Sequence, residues 1–195
     1  MISLLKEKYA GKKIVIGRDK SDYVKGVRQK LLAFERFLYL YPEWAGKVVL
    51  IQVALSTTEA NENECNVSDV VSRINSKFGS IEYMPVVYLH QDISFSHYLA
   101  LLTVNFEIDN HKIADACLIT SLRDGMNLTS HEYVVCQNGK YSPLIMSEFA
   151  GTYGSFGSAL RVNPWDKQEV AEAIFEALEM SPEEKKTRWD VIFDN

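Results

Sequence analysis

No apolar stretch in this chain approaches the roughly 20 residues needed to span a bilayer. Its amino end, MISLLKEKYAGKK, is too charged to hold the apolar core of a secretory signal. Cysteine is scarce: Cys65, Cys117 and Cys136 are an odd number with no CxxC spacing. That argues against a disulfide framework and for reduced thiols in the cytosol. Cys117 lies in an apolar run and Cys136 in a helical pattern, so both read as small core residues rather than nucleophiles. The four histidines (His90, His97, His111, His131) show neither HxxxH nor HExxH, which leaves no metal site in view. Basic residues are not in excess. The formal net charge of -5 argues against a nucleic-acid or membrane surface, since a polyanion binder wants a basic face. There is no GxGxxG, no internal repeat and no low-complexity tract. The expectation is a cytoplasmic protein whose partners include neither nucleic acid nor membrane.

What is present is a chain of 195 residues, 47% hydrophobic and 24% charged, enough for one domain with a sizeable core. Six short apolar runs alternate with amphipathic segments. The runs are KIVIG (13–17), KVVLIQVAL (47–55), MPVVYLH (84–90), ACLITS (116–121), PLIMS (143–147) and ALRVN (159–163). Several are continuously apolar and rich in Val and Ile, as in parallel strands buried on both faces. Helical spacing recurs in 26–41 (Val27, Leu31, Phe34, Leu38, Tyr41), 67–78, 94–104, 127–137 and 167–180. Two capping boxes mark helix starts: Asp166 with Glu169, and Ser181 with Glu184, where Pro182 takes the first helical position. Strands alternating with helices predict an α/β fold, a Rossmann-like doubly wound parallel sheet of about six strands over residues 1–195, closed by a helix in 181–195. TTEANENEC (57–65) reads as an exposed acidic loop. NFEIDNHKI (105–113) reads as a loop insertion, a helix extension or retained intron sequence.

In an open α/β sheet ligands sit at the carboxyl ends of the strands, so the loops found there are the candidates. GRDKSDYVKG (17–26) carries Arg18, Lys20 and Lys25 interleaved with Asp19 and Asp22. Cations at a strand exit suit a phosphate, through charge-assisted hydrogen bonds of about 1.5–3 kcal/mol each; a solvated turn with internal salt bridges is the competing reading. In SLRDGMNLTSHEY, Gly125 would let the backbone bend and a ligand approach, ahead of a helix whose first N–H groups favour an anion. Glu132, about a turn and a half into that helix, is placed to accept hydrogen bonds from a vicinal diol such as a ribose. Alternatively it is an exposed glutamate or a partner of Arg123. MSEFAGTYGSFG (146–157) reads as a shaped loop near the same edge, with Glu148 its carboxylate, and VNPWD (162–166) as a strand exit and helix cap.

D-x-x-x-Y-x-K-G after the first strand, RDGMNL…EY after the fourth, SEFAG, VNPWD and MSPEEK occur in that order. Together they resemble the trehalose-6-phosphate synthases, retaining glycosyltransferases of the two-domain GT-B type. The resemblance runs from GKKIVIG to SPEEKKTRW and covers the C-terminal, nucleotide-sugar half of such an enzyme. It implies transfer of glucose from UDP-glucose to glucose 6-phosphate with no metal or other cofactor. Residues matching the family's basic pair are Lys20 and Lys25, which would neutralise the departing diphosphate. Asp124, Gly125, Met126, Asn127 and Leu128 match the segment that holds the donor glucose, and Glu132 matches the glutamate that grips the ribose.

Two positions depart from the active pattern. Lys20 stands where active members carry Arg, which keeps the charge but loses the bidentate fork. Thr58, in Ser-Thr-Thr (56–58), stands where they carry an Arg facing the acceptor phosphate. The runs VRQKLLAFE, VVLIQVALSTTE, VVYLHQDISFSHYLALL and NLTSHEY are most similar to the large non-catalytic subunits of fungal trehalose synthase complexes. The implied partners are UDP-glucose or UDP and the catalytic synthase and phosphatase subunits.

Overall fold

The computed structural model describes residues 9–55, 61–90 and 114–193, the side chains of 61–66, Tyr153 and Phe193 excepted. The expected helix over 94–104, the segment 105–113, and 56–58 with Thr58 lie outside these residues. Six strands form one parallel sheet: β1 (Lys13–Lys20), β2 (Val48–Leu55), β3 (Val86–His90), β4 (Ala116–Ile119), β5 (Leu144–Ser147) and β6 (Leu160–Val162). Their order is β3-β2-β1-β4-β5-β6. The winding therefore reverses between β1 and β4, the place where an α/β sheet opens a crevice at its carboxyl edge. The helices are α1 (Val27–Leu40), α2 (Asn61–Phe78), α3 (Leu128–Cys136), α4 (Lys167–Glu179) and α5 (Pro182–Phe193). Among the described residues no helix is long and apolar enough to cross a membrane.

The strands read as continuous apolar runs because both faces are covered. Val15, Val48 and Leu50 pack with Phe34, Phe37 and Leu38 of α1 and Ile174 of α4 on one face. Ile16, Cys117 and Met146 pack with Tyr133 of α3 and Ile192 of α5 on the other. Cys117 is indeed core: burial pushes its thiol up to about 12. Both predicted N-caps form, Asp166 Oδ1 accepting from the N–H groups of Gln168 and Glu169, and Ser181 Oγ from Glu184 at 3.2 Å, while the Asp166 N–H goes to the Asn163 carbonyl rather than back to Glu169. VNPWD is a strand exit followed by that first cap, with Asn163 Oδ1 accepting from Trp165 N–H at 3.0 Å.

Two boundaries differ from the sequence expectation. Residues 61–65, read as loop, belong to α2 (Asn61–Phe78). β1 does not stop at Gly17 but continues through Arg18, Asp19 and Lys20, paired with Val53, Ala54 and Leu55 of β2. Charge at these positions hid the strand from an apolar-run criterion. The strand persists because Asp19 finds buried partners.

Candidate functional site: a cationic cleft at the sheet's switch point

Alternation along β1 sends residues of one parity to each face of the sheet. Val15 packs on the α1 face and Ile16 on the α3 face, so Arg18 and Lys20 follow Ile16 and Asp19 follows Val15. Asp19 is buried and accepts from Lys30 Nζ of α1 at 2.6 Å and from Gln52 Nε2 of β2 at 3.0 Å. After Lys20 the chain makes a short 3₁₀ turn, Tyr23–Lys25, capped by Asp22, whose Oδ1 accepts from Val24 N–H. Gly26 then enters α1 with φ of 65°, and a Cβ there would lie 1.9 Å from the Thr120 carbonyl oxygen. Only glycine fits that left-handed approach. Its carbonyl accepts from Thr120 Oγ1, and Leu122 N–H donates to Val24 O at 2.7 Å, so the Lys25 turn is bound to the end of β4.

The opposing wall is the β4–α3 turn. Asp124 Oδ2 gathers three donors: Lys25 Nζ at 2.8 Å, Asn127 Nδ2 at 3.0 Å and Ser121 Oγ at 3.4 Å. Asn127 also caps α3, its Oδ1 accepting from Ser130 N–H at 2.9 Å. The third loop supports this turn from behind. Ser147 Oγ donates to Ser121 O, Asp124 N–H donates to Phe149 O, and Gly151 N–H donates to Asp124 O at 2.8 Å. Gly125 is outside the left-handed region, and a Cβ on it would meet nothing within 4 Å. The bend does not need it. The glycine required here is Gly151, where a Cβ would come within 2.2 Å of the Gly125 carbonyl oxygen.

Between the walls lies a cleft of about 270 Å³ lined by Arg18, Asp19, Lys20, Lys25, Leu55, Asp124, Met126, Asn127, Leu128 and Thr129. Of the residues singled out by sequence, Lys20, Lys25, Asp124, Met126, Asn127 and Leu128 thus meet in one place. Gly125 and Glu132 fall outside this lining. Glu132 is neither a freely exposed helix residue nor paired with Arg123; it faces Arg18, with 3.7 Å between Nη1 and Oε2. Its Oε2 is buried and accepts no hydrogen bond among the described residues. Glu148 turns to Arg161 at 2.5 Å. Arg18, read from the sequence with Lys20 and Lys25 as a cation suited to a phosphate, joins them on the cleft, and the place of Asp19 emerges only in the structure. The spacing of Arg18 and Lys20 by two was the available signal, once the segment is seen as strand rather than loop.

A parallel sheet in this order, with a crevice lined by Arg18, Lys20 and Lys25 at the β1/β4 reversal, defines the class: a Rossmann-like α/β domain. The chain belongs to glycosyltransferase family 20, whose family model matches residues 1–195. It is 45% identical over 188 residues to an alpha,alpha-trehalose-phosphate synthase [UDP-forming] of Yarrowia lipolytica, covering 94% of this chain and 38% of that protein. Among solved structures it matches the Candida albicans trehalose-6-phosphate phosphatase N-terminal domain with a TM-score of 0.91 and 44% identity, over 99% of this chain and 40% of the other. An E. coli protein solved with UDP-2-fluoro glucose bound matches with a TM-score of 0.89 and 31% identity, over 99% and 42% respectively. The fold is that of the GT-B trehalose-phosphate synthases, and the chain spans about two fifths of the length of these relatives.

Proposed function

We propose that the chain is the donor-binding half of a trehalose-6-phosphate synthase-like protein and takes UDP-glucose or UDP. In this reading it is a cytosolic regulatory subunit of the trehalose biosynthesis complex, working beside catalytic synthase and phosphatase subunits. The observation that carries the donor site is the gathering of Arg18, Lys20, Lys25 and Asp124 on one cleft at the sheet's switch point. Lys20 and Lys25 neutralise the diphosphate, with no metal or other cofactor. Asp124 and the backbone of Gly125, Met126, Asn127 and Leu128 receive the glucose. Glu132 accepts from the ribose hydroxyls, a role supported by its place on α3 facing Arg18, which lines the cleft. The regulatory assignment is supported by Lys20 and Thr58, each a loss of guanidinium relative to active members.

Calorimetric titration of this chain with UDP and UDP-glucose tests the donor site. Saturable binding is expected, weakened about tenfold by Lys25→Ala and by Glu132→Ala, the loss of one charge-assisted contact each. Affinity indifferent to both substitutions would overturn the reading. A second reading, an active glucosyltransferase making trehalose 6-phosphate, is favoured by the 45% identity to a UDP-forming synthase. A glucosyl-transfer assay on the full-length protein separates the two: robust turnover selects the enzyme, and its absence the regulatory subunit.

A further inference from the structure

Lys30 is fully buried in α1, its ammonium 2.6 Å from Asp19 Oδ2. Gln52 of β2 donates to the same oxygen at 3.0 Å and to Val53 O at 2.9 Å. Gly17 leaves room for the group: a Cβ there would lie 2.4 Å from both Gln52 Oε1 and Lys30 Nζ. Three elements, β1, β2 and α1, thus converge on one carboxylate that lies in the wall of the cleft.

Stability is a weak account of this cluster. Desolvating two charges offsets much of their attraction, and a buried ion pair replaced by well-packed neutral residues often leaves a protein as stable as before. Position accounts for it better. Asp19 is held on the α1 face while Arg18 and Lys20, one residue to either side, stand on the other. Lys30 also belongs to the first turn of α1, its N–H donating to the carbonyl of Gly26, which directly follows Lys25. The same contact therefore sets the strand that carries Lys20 against the turn that carries Lys25. It also neutralises a carboxylate that would otherwise repel an anion from the cleft wall.

We infer that Asp19, Lys30 and Gln52 form a buried positioning cluster that holds Lys20 and Lys25 together on the one cleft where a diphosphate would bind. This rests on the donor-site reading above and adds residues to it: Lys30 and Gln52 touch no ligand and act through Asp19 and the backbone.

The test uses Asp19→Asn with Lys30→Met, a near-isosteric pair that leaves net charge unchanged and no buried charge unpaired. Gly17→Ala is the second variant; it pushes a methyl into the cluster without altering any charge. The readouts are thermal midpoint and the ratio of UDP to UMP affinity. The double variant is expected to melt within about 4 °C of the parent. In both variants the UDP-to-UMP ratio is expected to fall about tenfold, because small displacements of positioned charges are costly. A merely structural role would lower the midpoint and leave the ratio alone. Folded variants that keep the parent ratio overturn the inference and spare the donor site. A parent chain that fails to bind UDP overturns the donor-site reading and this inference together.

Discussion

Lys25 is engaged with Asp124 at 2.8 Å, so any anion entering the cleft competes with a carboxylate for that ammonium. Arg18 and Glu132 face each other more loosely beside it, at 3.7 Å. The site's charges are thus largely balanced among themselves. The residues concerned were legible in the sequence because they cluster in two short segments, but their pairing was not: Lys25 and Asp124 are 99 positions apart. Cys117 gives a prediction at the same scale. Its thiol rises from 9.0 to about 12 on burial, so the unfolded chain gives up this proton first as pH increases. The associated stability is complete below pH 9 and is lost as pH rises toward 12. The stability difference between the parent and Cys117→Ala should therefore shrink by roughly 1 kcal/mol per pH unit above about 9. Urea unfolding of both proteins at pH 8 and pH 10.5 checks it, and a constant difference would count against the buried neutral thiol.

At the scale of elements, the 3₁₀ turn Tyr23–Lys25 and α1 meet at Gly26, and that junction aims Lys25. Gly26→Ala puts a Cβ 1.9 Å from the Thr120 carbonyl oxygen and holds an L-residue at φ 65°. The left-handed conformation alone costs about 1–2 kcal/mol, and relieving the clash adds to it. A loss of at least about 2 kcal/mol in denaturant unfolding is expected, with weaker UDP binding in the fraction that folds. A wild-type unfolding midpoint for Gly26→Ala would refute the geometry assigned to this turn. The caps of α4 and α5 were visible beforehand in their capping-box patterns. The extension of β1 through Lys20 was not, since Asp19 becomes tolerable in a parallel strand only when Lys30 and Gln52 are brought to it.

At the scale of the molecule, the chain spans 38% of its Yarrowia lipolytica relative. A cleft walled by one domain leaves a bound donor open to water on its far side, and catalysis of group transfer needs the site closed and the acceptor positioned. With UDP-glucose and glucose 6-phosphate, this chain by itself is therefore expected to form no trehalose 6-phosphate above background; turnover here would show that the acceptor site is complete without the rest of the protein. The sequence alone determined the alternation of strands and helices, the caps, the parallel sheet and the two segments that carry the site, because each follows from local periodicity and local hydrogen-bonding chemistry. Only the tertiary structure decided that Arg18 faces Glu132, that Asp19 is sunk against Lys30 rather than offered to solvent, and that Gly151 rather than Gly125 is the glycine its turn requires. Ion pairing and steric exclusion depend on distances and desolvation between distant segments, which exist only once the sheet has set its strands side by side.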